Sequence, residues 1–185
     1  MTFLLTSTVC NAQWSRKGRS DFFAFGQSMS GDTATGSIGS SRVITNLGDT
    51  TAVGLGIGNN FSDLFNGNAE MYFGSMDVTG KASGITVKGN TALIGTNLNL
   101  DFNILKSRFT PVVTGGVGLI SFTGDIEGFP FNESDLSYNL GAGFRWDITN
   151  NFFIKTIYRS TRTNLKNTDK SISFDGISIG VGYIF

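Results

Sequence analysis

The final residues of the chain, 177–185, place a large apolar or aromatic side chain at every second position. In a β-strand, successive side chains point to opposite faces. One face of this segment therefore carries Ile177, Ile179, Val181, Tyr183 and Phe185, and the other carries Ser178, Gly180, Gly182 and Ile184. A strand with one large apolar face and one face of mostly small residues must lie between two different environments.

Seven further segments show the same two-residue period, separated by clusters of Gly, Asn, Asp and Ser. They lie at residues 21–30, 51–59, 67–78, 85–102, 109–122, 136–146 and 152–159. The composition agrees, because the chain contains 25 Gly, which disfavour helix interiors, and 17 Phe, which favour strands. The sequence therefore predicts an all-β protein of eight strands.

Charge and hydropathy exclude two broad classes of protein. The chain has 14 basic and 14 acidic residues, so it offers no basic field for nucleic acid. Its apolar stretches are interrupted by Gly, Asn and Thr before they reach the roughly 20 residues that a membrane helix requires. We therefore expect neither a nucleic-acid partner nor a helical membrane protein.

The predicted connections between strands differ in length. Those at residues 59–64, 103–108 and 147–151 are short, those at 31–50 and 124–135 are long, and 163–171 is intermediate. Transmembrane β-barrels have short turns at one end and longer loops at the other. An even strand count then puts both chain termini at the short-turn end. Pro111 is expected near a strand end, where a missing N–H is tolerated.

The face opposite the apolar one distinguishes a soluble barrel from a membrane barrel. It consists mostly of Gly, Ser, Asn and Thr, with isolated charges at Glu70, Asp101, Arg145, Lys155 and Arg159. A soluble barrel such as a lipocalin needs a charged outer surface around its apolar core. A small and mostly neutral face fits instead the crowded interior of an eight-stranded barrel whose apolar face meets lipid. A soluble, lipocalin-like lipid binder is the less favoured alternative.

Two segments carry a resemblance to a known family. They are the ending Gly180-Val-Gly182-Tyr-Ile-Phe185 and the predicted hairpin at residues 141–159. With these segments the chain resembles the eight-stranded outer-membrane barrels of Gram-negative bacteria, the OmpA-like and OmpX-like proteins of the porin family. The resemblance implies an eight-stranded antiparallel up-and-down transmembrane β-barrel over residues 13–185, in the outer membrane.

The resemblance also implies roles for particular side chains. The signal read by the barrel assembly machinery is expected in the closing strand, at Phe185, Tyr183, Val181 and Ile179. An aromatic girdle at the membrane interface is expected to include Trp146, Phe152 and Tyr158. The expected partners are outer-membrane lipid and, during biogenesis, the assembly machinery, and the expected state is a monomer. The peptidoglycan-binding domain that follows the barrel in full-length OmpA proteins is expected to be absent.

Residues 1–12 have the pattern of an export signal. An apolar run is followed by small residues at the positions that a signal peptidase reads, which predicts cleavage after Ala12. The positive charges that usually precede the apolar run are missing, so we expect a truncated signal. Cleavage removes Cys10, the single cysteine, and leaves a mature chain without disulfides. A lipid anchor on Cys10 is less favoured, because Ser7 and Val9 match the required pattern poorly.

Catalysis, cofactors and metals find little support in the residue types present. The chain has no histidine. Enzymes among the outer-membrane barrels that this chain resembles use a histidine as general base. Paired glycines, as in Gly54-Leu-Gly56, lack the spacing of a dinucleotide or phosphate loop. No His or Cys cluster and no Asp-rich loop indicates a metal site. We expect a non-enzymatic protein with no cofactor or metal.

The inward charges are the first candidate site. Arg145 and Lys155 flank a predicted turn, so two cations are expected to face each other in the lumen with Glu70 or Asp101 as counter-ions. Together with Arg159 they form either a structural plug that fixes strand register or a gate for small ions. The plug is favoured, because eight strands leave an interior just wide enough for side chains.

The long predicted loops are the second candidate site. Residues 31–50 are rich in Gly, Ser and Thr, and residues 124–135 are acidic and carry Phe129 and Phe131 as candidate contacts. Exposed aromatic side chains on loops can bind a partner, although a solvated tip is equally consistent with the sequence. We expect a structural or surface-interaction protein that meets an extracellular partner through these loops. The alternative function is a narrow, porin-like channel for ions or very small solutes.

Overall fold

A computed structural model of the chain describes residues 14–31, 33–38, 41–82, 85–126, 129–163 and 172–185, with side chains described outside 34–45, 82–85 and 125–131. This part of the chain forms nine strands: β1 (Ser20–Ser30), β2 (Thr33–Ile38), β3 (Ser41–Asn60), β4 (Phe65–Ala82), β5 (Ile85–Asn103), β6 (Phe109–Ile126), β7 (Phe129–Asp147), β8 (Phe152–Thr163) and β9 (Ile172–Ile184). The predicted signal peptide, residues 1–12, lies outside the described residues. No helix in the described ranges is long and apolar enough to cross a membrane.

The strands form one antiparallel sheet that closes on itself. Each of β3 to β8 pairs with the next strand along the chain, and β1 pairs with both β9 and β3. β2 continues the path of β1 along β3, so β1 and β2 share one position in the wall of an eight-stranded barrel. The predicted all-β fold, an eight-stranded antiparallel up-and-down barrel, is confirmed.

The ninth strand arises from a break in the first barrel position. Opposite the break, the β3–β4 register shifts between Leu47 and Thr50, which marks a bulge. The backbone approaches closely here, because a Cβ on Gly31 would lie 2.5 Å from the Leu47 carbonyl oxygen. Glycine at this position therefore allows the wall to bend without a steric clash.

The prediction of two long loops is wrong. β3 begins at Ser41 and β6 and β7 pair as far as Ile126 and Phe129, so most of residues 31–50 and 124–135 is strand. Outside a membrane both faces of a hairpin contact water, so the sequence shows no apolar alternation even though the backbone forms a regular ladder. Residues 164–171, within the predicted intermediate loop, lie outside the described part. The predicted short turns are found, between β3 and β4, β5 and β6, and β7 and β8.

The outward face of the barrel carries a continuous belt of exposed apolar side chains. Its members on the middle strands are Val53, Leu55, Ile57, Met71, Phe73, Leu98, Leu100, Val117, Leu119, Leu136 and Leu140. At the short-turn end it finishes in aromatic residues, Phe65, Phe102, Phe109, Trp146, Phe152 and Tyr183. A β-strand crosses a bilayer in about 9–11 residues. β3 to β7 have 18 to 20 residues each, so about half of each strand projects beyond the belt at the end away from these turns.

The inward face is as predicted on most strands, but β1 is reversed. Phe23, Phe25 and Met29 point into the barrel and are buried, although the sequence pattern grouped them with the outward apolar face. The neighbouring strand makes room for them, because a Cβ on Gly54 or Gly56 would collide with the rings of Phe25 and Phe23. Large side chains on β1 thus fill space that glycines leave on β3. Pro111, the third residue of β6, lies near a strand end as expected.

Candidate functional site

The first of two ion clusters crosses the middle of the lumen. The Arg159 guanidinium binds both carboxylate oxygens of Glu70, with Nη1–Oε2 and Nη2–Oε1 distances of 2.7 and 3.1 Å. Lys155 Nζ lies 3.1 Å from Asp101 Oδ2 and 3.9 Å from Glu70 Oε1. β8 supplies both cations, while β4 and β5 supply the carboxylates, and all four side chains are buried. We call these four residues the central cluster, in which two positive charges balance two negative charges.

The second ion cluster closes the lumen at the short-turn end. Asp147 accepts a hydrogen bond from Arg16 Nε at 2.6 Å and another from Arg145 Nε at 3.0 Å. Arg145 Nη1 also lies 3.1 Å from Asp21 Oδ2. Arg16 and Asp147 are fully buried, and Asp21 and Arg145 are almost so. These four residues form the mouth cluster, which is also balanced in formal charge.

Arg16 reaches the mouth cluster from outside the barrel wall. It lies in the segment before β1, where its Nη2 donates to the Ser107 carbonyl at 2.8 Å and its backbone N–H donates to Asp63 at 2.8 Å. Burial lowers the pKa of the Arg16 guanidinium, and the nearby Asp147 carboxylate opposes that shift. The side chain therefore connects two of the short turns to β7 and covers the opening between them.

Asp63 holds the same segment from the other side. The Ser15 hydroxyl donates to Asp63 Oδ1 at 2.7 Å, and the backbone N–H groups of Arg16 and Lys17 point to the same oxygen. The hydrogen bond from Ser15, together with these N–H groups, lowers the pKa of the Asp63 carboxyl below its ordinary value. The segment is thus attached to the β3–β4 turn through one ionised carboxylate.

A ladder of asparagine side chains joins β4, β5 and β7 to the mouth cluster. Asn139 donates to Asn99, Asn99 to Asn68 and Asn68 to Asn66, at 3.0 to 3.2 Å. Asn66 in turn donates to Asp21 Oδ2 at 3.1 Å. Asn66, Asn68 and Asn99 each give and accept a hydrogen bond, and Asn139 begins the chain as a donor. This part of the lumen is therefore filled by a polar network that is specific in geometry.

The other end of the lumen is apolar. Side chains from across the barrel pack together there, including Met29, Met76, Val78, Leu93, Ile120, Phe122, Ile172 and Phe174. Near the boundary with the central cluster, a cavity of about 10 Å³ is lined by Gln27, Tyr72, Asn97 and Arg159, among others. That space suffices for about one water molecule. The described side chains therefore fill the lumen with two ionic layers and one apolar layer.

The structure brings the predicted lumen charges together, with one correction. Arg145 and Lys155 are direct neighbours across the β7–β8 ladder, as predicted. The prediction that Glu70 or Asp101 balances both cations is wrong for Arg145, which pairs with Asp21 and Asp147 instead. The rings of Phe153 and Phe23 also lie against Arg145 and Lys155, at 4.0 and 4.5 Å.

Sequence reasoning missed three members of the mouth cluster. Asp147 was assigned to a turn, although it ends β7 and points inward. Asp21 shares the period of the buried Phe23 and Phe25, so the correct orientation of β1 would have revealed it. No local pattern marks Arg16, because its hydrogen-bond partners are 47, 91 and 131 positions away along the chain.

The other predicted residues with described side chains lie on the outside of the barrel. The closing-strand residues Ile179, Val181, Tyr183 and Phe185 point outward and are exposed. Trp146 and Phe152 lie at the short-turn edge of the apolar belt, whereas Tyr158 lies toward its opposite edge. Phe129 and Phe131 belong to β7 rather than to a loop, and their side chains lie outside the described part. In the described ranges, no group of three or more His, Cys, Asp or Glu residues could hold a metal ion.

Comparison with known proteins agrees with this architecture. Residues 1–185 match the family described as "Outer membrane protein beta-barrel domain". OprG from Pseudomonas aeruginosa superposes with a TM-score of 0.69 at 15% identity, over 94% of this chain and 98% of that chain. The N-terminal β-barrel domain of Pseudomonas aeruginosa OprF superposes with a TM-score of 0.56 at 19% identity, over 91% of this chain and 98% of that chain.

A third similar structure is Ail, the attachment invasion locus protein of Yersinia pestis, in complex with the heparin analogue sucrose octasulfate. It gives a TM-score of 0.59 at 14% identity, over 91% of this chain and 99% of that chain. At such identities these three structures show a shared fold. A comparison with curated protein sequences gave no match.

Proposed function

Because the chain belongs to the outer membrane protein β-barrel family, we propose that it is a non-catalytic surface protein whose projecting hairpins contact a partner outside the cell. The observation that carries this proposal is the division of the barrel into a filled lumen and a long extension beyond the membrane belt. Such a division leaves the outer surface as the part of the molecule that is available to other molecules.

The filled lumen argues against transport as the main role. Two ion clusters and an apolar layer lie in series between the ends of the barrel. An ion that crosses the lumen must displace paired charges and enter the apolar layer, and both steps cost free energy. The interior of a small eight-stranded membrane barrel is just wide enough for its own side chains to fill.

The described part of the projecting region is a continuous hydrogen-bonded sheet. Three hairpins, β2–β3, β4–β5 and β6–β7, continue the barrel ladders with antiparallel pairs up to Ile38–Ser41, Ala82–Ile85 and Ile126–Phe129. Short transmembrane-barrel turns lie on the periplasmic side, so these hairpins extend outward from the cell. An extended sheet whose strands are already paired presents a large contact surface at little ordering cost.

One strand of the projecting sheet offers a specific mode of contact. β7 continues for eight residues beyond its last described pair with β8, Ser137–Thr163, and in the described ranges these residues pair with β6. The backbone groups of a projecting strand can bind an extended segment of a partner as an added strand. Ail, which is named for attachment and invasion, shares the fold, but the proposed contact here rests on the hairpins of this chain.

Cell binding tests the proposal. We would shorten the β6–β7 hairpin by replacing residues 121–134 with an Asn-Gly turn, which joins the paired strands at Ile120 and Asp135. The matched control shortens the β4–β5 hairpin in the same way, replacing residues 77–90 at the Met76–Thr91 pair. Heat-modifiable migration on a detergent gel verifies that each barrel is closed.

We expect proteoliposomes that carry the wild-type protein to bind cultured cells, and the shortened β6–β7 hairpin to reduce binding by at least about tenfold, which corresponds to roughly 1.4 kcal/mol. The shortened β4–β5 hairpin should retain most of the binding. Equal binding by wild type and both shortened barrels would contradict a contact role for the projecting sheet.

A narrow ion conduit is the second candidate function. The observation in its favour is the position of Lys155, which lies within reach of two carboxylates, at 3.1 and 3.9 Å. A cation that can exchange between two partners could admit an ion without a change in the barrel wall. Conductance measurements across planar bilayers distinguish this role from the sealed lumen.

A further inference from the structure

The short-turn end of the barrel carries basic side chains that take no part in the lumen clusters. Arg19 precedes β1 and Arg108 precedes β6, and both are accessible to solvent. We propose that these two arginines, here called the rim pair, bind the phosphate group of an anionic phospholipid in the leaflet that surrounds this end of the barrel.

The rim pair is held in place by one residue of the β7–β8 turn. Arg19 Nη1 donates to the Asn150 carbonyl at 2.6 Å, and Arg108 Nη2 donates to Asn150 Oδ1 at 2.7 Å. Second bonds run from Arg19 Nη2 to the Ile184 carbonyl and from Arg108 Nη1 to the Ile148 carbonyl, at 3.1 and 3.4 Å. Each guanidinium has five N–H donors, so both keep donors for a further ligand.

The positive charge of the rim pair is not neutralised by the described part of the protein. No described carboxylate lies within 4.0 Å of either guanidinium, whereas every arginine of the lumen clusters has such a partner. The nearby carboxylate of Asp63 is occupied by Ser15 and by the backbone before β1. Arginine recognises phosphate oxygens with paired N–H donors, so a phosphate group complements both charge and geometry.

The surroundings of the rim pair select a lipid as the source of that phosphate. Exposed apolar side chains flank the same turn, among them Phe109, Trp146, Ile148 and Phe152. This aromatic edge of the belt marks the level of the lipid headgroups. A phospholipid whose phosphate group binds the rim pair can therefore extend its acyl chains along the belt. A free phosphate ion has no such chains and gains no contact with the belt.

The opposite end of the barrel differs in its described side chains. Exposed charges of both signs occur there, Asp49, Asp77 and Asp175 together with Lys81, Lys88 and Arg162. Juxtamembrane cations attract anionic lipid, and each one changes the affinity by about fivefold. The asymmetry therefore predicts selectivity for anionic headgroups at the short-turn end.

Trp146 provides a built-in probe for the test, because it lies on the lipid-facing belt near the rim pair. In a Trp14→Phe background it is the single tryptophan, since the chain has two. The protein is placed in phosphatidylcholine vesicles, and brominated phosphatidylglycerol or brominated phosphatidylcholine is added as a quencher. We expect stronger quenching by the phosphatidylglycerol, and equal quenching by the two lipids in the parent protein would overturn the proposal.

Variants locate the effect. Arg19→Gln with Arg108→Gln should lower the preference for phosphatidylglycerol by about fivefold for each arginine. Arg19→Lys with Arg108→Lys keeps the charge and should keep most of the preference. Lys81→Gln with Lys88→Gln, on the projecting β4–β5 hairpin, is the matched control and should change nothing. An undiminished preference in the Gln variant, or equal losses in both Gln pairs, would overturn the assignment.

Inorganic phosphate separates a lipid site from a simple anion site. The quenching is repeated with sodium phosphate and with sodium chloride at equal ionic strength. A lipid that is also held by its acyl chains should keep its advantage in both salts to the same extent. A preference that phosphate removes and chloride does not would show that the rim pair takes a free anion, and would overturn the lipid assignment.

Discussion

The two ion clusters of the lumen contain the same number of charges but differ in what holds them. The central cluster joins Glu70, Asp101, Lys155 and Arg159, all of which belong to strands of the barrel wall. The mouth cluster joins two wall strands to Arg16, which belongs to the segment before β1. One cluster is therefore built into the barrel, and the other is completed by a segment that covers its end.

This difference assigns different roles to the two clusters. Removing a charge from the central cluster leaves its partner deep in the lumen, where no solvent replaces the lost contact. Removing Arg16 leaves Asp147 with Arg145 at 3.0 Å, close to the water at the short-turn end of the barrel. The central cluster should therefore determine stability, whereas the mouth cluster should determine whether the end of the barrel is covered.

The largest expected effect comes from the central cluster. Arg159→Ala leaves Glu70 with Lys155 alone, at 3.9 Å, and should lower the free energy of unfolding by about 3–5 kcal/mol. Urea unfolding in lipid vesicles, followed by tryptophan fluorescence, measures the loss. Replacing both Glu70 and Arg159 by Met should recover most of it, because a paired apolar replacement leaves no unpaired charge. A loss below about 0.5 kcal/mol in Arg159→Ala would show that this ion pair contributes little.

A smaller effect is expected at the mouth. Arg16→Ala removes a buried charged hydrogen bond to Asp147 but leaves that carboxylate paired, so we expect a loss of about 1–2 kcal/mol. The same unfolding assay measures it. Lys17→Ala, at the next and exposed position, is the control and should be neutral. If Arg16→Ala costs as much as Arg159→Ala, the distinction between the clusters fails.

The smallest effect is a pH dependence confined to the covering segment. The pKa of Asp63 is lowered in the folded protein, chiefly by the Ser15 hydroxyl. The ionised carboxylate therefore stabilises the attachment of the covering segment at pH values above the unfolded pKa of about 3.9. It is lost as the pH falls through the lower, folded pKa. Trp14 fluorescence in a Trp146→Phe background should therefore change in acid while the barrel stays closed.

Asp63→Asn gives the matched comparison. The neutral amide should shift Trp14 fluorescence at neutral pH toward the value that the parent protein shows in acid. Ser15 and the backbone N–H of Arg16 lose a charged acceptor in both cases. An acid transition of the same size in Asp63→Asn would assign the effect to another group.

The sequence predicted the barrel wall well, because each wall strand meets lipid on one face. On β5, apolar and polar side chains alternate because Leu98 and Leu100 face outward while Asn97 and Asp101 face the lumen. The β2–β3 and β6–β7 hairpins meet water on both faces where they project, and residues 31–50 and 124–135 lack the apolar period, so the sequence predicts loops there. The two-residue period also does not determine which face of a strand points into the barrel and which points outward. Phe23 and Phe25 point inward because glycines on β3 leave space for their rings.

The lumen cluster was predictable only in part, for a related reason. Register across a short hairpin follows from sequence, so the Arg145–Lys155 neighbours could be predicted. Pairing across the barrel depends on the tilt and closure of the sheet, which no local pattern contains. The partners Asp21 and Arg16 are therefore evident only once the sheet is closed.

Conductance across planar bilayers tests most directly whether the lumen is sealed by its own side chains. The wild-type barrel is inserted, and current is recorded alongside the Glu70→Ala variant, which removes a carboxylate of the central cluster. We predict no channel events above the lipid baseline for the wild-type protein or for Glu70→Ala, because the apolar layer and the mouth cluster still close the lumen. Discrete, ion-selective current steps in the wild-type barrel, increased in Glu70→Ala, would contradict the sealed lumen and identify the protein as a conduit.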